Sequence, residues 1–141
     1  MNGNQIYQGK VKTGRGGAAG EMSKPGGLEG FRILTGLSVI PGTMNIKLTE
    51  TFDLSLLNYL KFADVGWEFD PVTQGIEYEG EIGMHYRHAT VANEYAACLI
   101  IWTWVTDIRS NAELVSPHHL RTVLNLKDGD IIGFTLDKKT A

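Results

Sequence analysis

A mostly-β domain that closes into a small barrel, with one or two short helices, is the fold class this sequence predicts. Three observations carry that prediction. Several short segments alternate apolar and polar residues with the period of two that marks half-buried strands. The run "YAACLIIW" is dense in β-branched and aromatic residues, the pattern of a buried strand. Helical spacing is confined to two short stretches, and many short strands favour a closed barrel over an open sheet.

The elements follow in chain order. "IYQGKVKT", residues 6–13, alternates as a first strand. The run 14–30, "GRGGAAGEMSKPGGLEG", is too rich in glycine to hold a helix or strand, and reads as a long loop. Long loops in compact domains are commonly functional. "FRILTGL" suits either a short helix ending at Gly36 or the beginning of a strand. In "IPGTMNIKL", Pro-Gly breaks the chain before Met44, Ile46 and Leu48 alternate with Asn45 and Lys47. "TFDLSLLNYLKF" spaces Leu54, Leu57 and Leu60 as a helix, with Asp53 near its start, although an extended reading is open.

Short strands and hairpins are expected between residues 64 and 90, then the buried strand, then "NAELVS". "PHHLRTVLNL" predicts a helix with Pro117 at its first position and Leu120, Val123 and Leu124 on one face. "KDGD" marks a turn with Gly129 at positive φ, and "IIGFTL" a closing strand. The tail "DKKTA" is expected to fray.

At 141 residues the simplest expectation is one domain, residues 1–141, with a sizeable core. A formal net charge of -3 gives no positive field to collect nucleic acid, so neither a nucleic-acid nor a membrane partner is expected. The single cysteine, Cys98, lies in an apolar run, so it forms no internal disulfide and is expected to be buried. The N-terminus is polar and the apolar runs are short, which makes a soluble, cytoplasmic protein the default.

Several residues could carry chemistry. Gly14, Arg15, Gly16, Gly17, Ala18 and Ala19 form a loop whose bare amides and one guanidinium suit phosphate oxygens, although a flexible linker has the same composition. Thr43 and Asn45 share one side of their strand. Their hydroxyl and amide oxygens bind Mg²⁺ well only when phosphate and water complete the octahedron, and on pattern alone a turn-capping threonine and a strand asparagine are the simpler reading. His118 and His119 stand at a predicted helix start, where free amides attract anions. His85 and His88, three apart in a strand, should face opposite sides. Glu113, inside an apolar strand, is either a general base or a solvent-facing carboxylate.

"GKVKTGRG", "GFRILTGLSVIPGTMNIKLTETFD" and "AELVSPHHLRTVLNLKDGDII", in that order and spacing, resemble the CTP-dependent riboflavin kinases found chiefly in archaea. The resemblance covers nearly the whole chain, and "PGTMNIKL" is its most specific part. It implies a six-stranded cradle-loop barrel and a Mg²⁺-dependent transfer from CTP to riboflavin, giving CDP and FMN. On that resemblance Thr43 and Asn45 match the metal ligands. Gly14 to Ala19 match a nucleotide-wrapping loop, and His118, His119, Leu120 and Arg121 a second nucleotide-contacting segment. Glu113 matches an acidic residue beside the flavin's reacting hydroxyl, and Val105 stands where a flavin-contacting threonine is usual. Gly17 replaces the family's loop glutamate, and Trp102 and Trp104 are bulky additions on the flavin side. Two readings follow: a kinase, acting on riboflavin or another acceptor, or a non-catalytic nucleotide- or flavin-binding module on the same barrel. The substitutions at Gly17 and Val105 are what favour the second.

Overall fold

The structure is a computed structural model that describes residues 5–12, 29, 32, 36, 39, 43–50, 52–66, 78–104 and 111–137. Its strands are β1 (Ile6–Lys12), β2 (Met44–Leu48), β3 (Asn58–Lys61), β4 (Gly83–Val91), β5 (Tyr95–Trp102), β6 (Asn111–Val115) and β7 (Ile131–Leu136). A single helical turn, α1 (Leu120–Val123), separates β6 from β7.

All pairings are antiparallel, in the order β3-β4-β5-β6-β2-β1-β7, and a further pairing of β4 with β7 closes the ring. Six strands therefore make the closed barrel, and β3 lies outside it. The nine-residue β4 serves both neighbours along one edge. Its first half, Gly83 to Tyr86, pairs with β3, and its last residues, Ala89 to Val91, pair with β7. Closure removes the unpaired edges that an open sheet would expose.

Alternation decides what fills the interior. Val11, Met44, Ile46, Leu99, Ile101, Leu114 and Phe134 point inward and are at most 6% exposed. Gly9 belongs to this inward set because a Cβ there would sit 3.0 Å from the Ile46 side chain. β5 is apolar throughout because both its faces are covered. Its outward residues Cys98, Ile100 and Trp102 pack with Val39, Phe62 and Met84 in a second cluster.

Of the two readings of "TFDLSLLNYLKF", the helical one is corrected and the extended one holds for its second half. Asp53 caps a 3-10 turn, Leu54–Leu56, by accepting the Ser55 N–H at 3.0 Å, and the chain then extends into β3. Leucines three apart imitate a helix, but pairing with β4 supplies the hydrogen bonds instead. The later helix is shorter than expected and starts at Leu120 rather than Pro117. Gly129 takes φ +97° in the turn before β7, as its sequence setting predicts. Around Gly36, Glu29 and Arg32 are helical and the Gly36 N–H reaches the Arg32 carbonyl at 2.8 Å. The glycine-rich run 14–28 and the tail after Asp137 lie outside the described residues.

Candidate active site

Strand register assembles one row of residues on the outer face of the barrel. Lys12 of β1 stands opposite Asn45 of β2, Asn45 opposite Glu113 of β6, and Glu113 opposite Ile100 of β5. Directly paired residues on neighbouring strands share a face, so these four side chains stand side by side. Thr43, two residues before Asn45, has the same orientation, and its hydroxyl donates to Glu113 Oε1. From the end of β5 the Trp102 indole N–H donates to Glu113 Oε2. Both carboxylate oxygens are thus held by donors from different strands, as suits an ionised carboxylate, which only accepts.

That arrangement fits a hard cation. Thr43 gives its only hydroxyl proton to Glu113, which leaves its oxygen lone pairs for another partner. Asn45 adds an amide carbonyl on the same face. Neutral oxygens beside one carboxylate are the donor set of a Mg²⁺ site completed by phosphate and water. Among the described residues no group of three or more His, Cys, Asp or Glu side chains gathers as a metal cluster.

The Glu113 row is bordered by aromatic rings. Trp102 and Trp104 stack with centroids 5.1 Å apart, and Phe62 meets both edge-on at 6.0 and 5.7 Å. Trp102 is buried, whereas Trp104 is only half-buried. This wall comes from the two tryptophans that the sequence marks as bulky additions.

The second expected segment lies beside the end of β1. Ser116 is buried, donates to the Ala96 carbonyl at 2.7 Å and accepts the His118 N–H at 3.0 Å. His118 and His119 are exposed, the first edge-on to Tyr95 and the second 2.7 Å from the Thr122 hydroxyl. The side chain of Leu120 belongs to the barrel core, so only its backbone faces outward chemistry. With one turn, α1 has little macrodipole, and the anion attraction expected of a longer helix start is correspondingly small. Arg121 does more: its guanidinium reaches the Lys12 carbonyl at 3.1 Å and pairs with Asp128 at 2.6 Å. It thereby ties α1 to the last residue of β1, two residues before the glycine-rich run.

Gly14, Arg15, Gly16, Gly17, Ala18, Ala19 and Val105 lie outside the described residues. Thr43, Asn45 and Glu113 come together; His118 to Arg121 form a separate group linked to them through Lys12. Sequence reasoning missed Lys12 and Asn111, which are joined at 2.7 Å, and the Trp102 bond to Glu113. The alternation of "KVK" was the available signal, since it turns Lys12 away from buried Val11. His85 and His88 fall on opposite faces of β4; burial lowers the pKa of His85, which packs against Tyr59 at 5.0 Å. Cys98 is buried, and desolvation pushes its thiol up to about 12, so it is no nucleophile. No helix among the described residues is long and apolar enough to cross a membrane.

A model of the CTP-dependent riboflavin kinase family, described as domain of unknown function DUF120, matches residues 11–136. The riboflavin kinase of Methanococcus vannielii is 33% identical over 103 residues, 72% of this chain and 75% of that protein. The riboflavin kinase of Methanospirillum hungatei is 32% identical over 126 residues, 89% of this chain. The chain spans about half of that longer relative, 54% of its length.

Proposed function

The chain belongs to the CTP-dependent riboflavin kinase family, a family of kinases, and from that premise we propose that it phosphorylates riboflavin to FMN with CTP as donor and Mg²⁺ as metal. The observation that carries this reading is the convergence of Thr43, Asn45 and Glu113 on one face of β2 and β6. The catalytic unit on this proposal is the riboflavin-kinase-like barrel, residues 1–141, acting on small molecules in the cytoplasm. No nucleic acid and no membrane takes part in it.

Thr43 and Asn45 would hold Mg²⁺, which when bound neutralises phosphate charge and orients the phosphate oxygens. The glycine-rich loop, Gly14 to Ala19, wraps the nucleotide, with His118 to Arg121 along its other side and Val105 on the flavin wall. The terminal hydroxyl of the ribityl chain attacks the γ-phosphorus, the bond to the β-phosphate oxygen breaks, CDP leaves, and the hydroxyl proton is released to solvent. Glu113 orients that hydroxyl. Two donors already stabilise its ionised form, which weakens it as a proton acceptor but leaves lone pairs free for a third donor. Phosphoryl transfer through a loose transition state needs this positioning more than a strong base.

The test is direct. The protein is incubated with riboflavin, Mg²⁺ and either CTP or ATP, and FMN is separated by chromatography with fluorescence detection. FMN formed with CTP is the expected result, and no FMN with any nucleotide overturns the proposal. A Thr43→Val, Asn45→Leu double variant should lose the Mg²⁺-dependent part of nucleotide binding; unchanged binding refutes the ligand assignment.

A further inference from the structure

We propose that Lys12 is a phosphate-binding residue of the nucleotide site, supplying a positive charge beside the Thr43, Asn45 and Glu113 oxygens. The inference rests on the kinase reading and extends it to a residue outside the motifs that led to that reading.

Three observations carry it. First, Lys12 is half-buried and its side chain spans β2, because Nζ bonds Asn111 Oδ1 of β6 at 2.7 Å while β2 lies between their strands. The stem thus starts beside its direct partner Asn45, and the ammonium ends one row along, at Asn111, two residues before Glu113 on the same face of β6. Second, its partner is a neutral amide, which orients the charge without cancelling it. Two cations around the turn before β7 are matched instead by carboxylates: Arg121 pairs with Asp128 at 2.6 Å, and Lys127 with Asp130 at 3.6 Å. Among the described residues no carboxylate forms an ion pair with Lys12. Third, the backbone of Lys12 is fixed, since its carbonyl accepts from Arg121 at 3.1 Å.

The charge balance of the described side chains favours such a residue. Thr43 and Asn45 are neutral and Glu113 is negative, so these three groups alone repel a triphosphate. A partly desolvated ammonium on the same face, one row from the carboxylate, offsets its charge and leaves further N–H donors for phosphate oxygens. Lysine suits this role as a compact point charge with three donors.

Lys12→Met keeps the stem and removes the charge, and Lys12→Arg restores it. In the presence of Mg²⁺, calorimetry should show CDP binding weakened about tenfold to a hundredfold in Lys12→Met, the scale of a lost charge-assisted hydrogen bond. Cytidine, which has no phosphate, should bind Lys12→Met and wild type alike in an NMR titration. Lys12→Arg should recover most of the CDP affinity. Equal CDP affinity in Lys12→Met and wild type overturns the proposal, as does a parallel loss of CDP and cytidine, which marks a structural role. A wild-type protein that binds no CDP also overturns it. If CDP binding depends on Lys12 but no FMN is formed, the kinase reading fails while the phosphate contact stands.

Discussion

The outer face of the barrel divides along β6. Over β4 and β5 it carries Met84, Cys98, Ile100 and Trp102, all at most 6% exposed, covered by Phe62 and Val39. Over β1 and β2 the same face carries Lys10, Lys12, Asn45 and Lys47, exposed or half-buried. The backbone is the same antiparallel ladder in both halves. What differs is whether a second layer of side chains covers it, and Glu113 stands where the two halves meet. Its carboxylate takes one hydrogen bond from the apolar half, through Trp102, and another from the polar half, through Thr43. A polar group beside a dry wall is held more firmly than one in water, because competing solvent is excluded and the local dielectric is lower.

The two halves should therefore respond differently to substitution. Ile100→Ala, on the covered half, removes a fully buried side chain and should cost about 3 kcal/mol in urea denaturation. Lys10→Ala, on the open half, should stay within about 0.5 kcal/mol of wild type. Similar losses at both sites would erase the distinction. At the seam, Glu113→Gln should lower kcat for FMN formation roughly a hundredfold, a preorganised acceptor having been lost, with little change in melting temperature.

Trp102→Phe keeps a ring in the wall but removes the indole donor to Glu113. With one of its two donors lost, the Glu113 carboxylate is less firmly placed, and kcat should fall about tenfold. An unchanged kcat would mean that the apolar half contributes packing alone. The smallest effect belongs to Cys98. Its thiol, held up to about 12 by burial, should resist thiol reagents at pH 8 until the protein is unfolded. Its ordinary value is 9.0, so the unfolded state sheds this proton first as pH rises. Cys98 then contributes falling stability above about pH 9, a loss that Cys98→Ala should abolish.

Strands were the legible part of the fold. The period of two in "IYQGKVK", "MNIKL" and "NAELV" follows from side chains alternating across a sheet with one apolar face, and each forms a strand. The common side of Thr43 and Asn45 was legible for the same reason. Helical content was less so. Leu54, Leu57 and Leu60 have helical spacing, yet Leu60 packs outside the barrel on β3, which exists only because β4 extends past β7 to pair with it. The turn between β4 and β5 escaped notice because Ala92 and Asn93 take φ of +53° and +59° without a glycine to announce it.

By itself, then, the sequence determined the strands, the inward set of side chains and the oxygen-bearing face of β2, because these depend on spacings of two residues along one chain. Its family resemblance pointed to Glu113 as well. Only the tertiary structure decided what surrounds that carboxylate. Lys12 and Asn111 lie 99 residues apart, and Thr43 and Glu113 lie 70 apart. Pairings over such separations are set by barrel closure and register, which no local pattern of residues encodes.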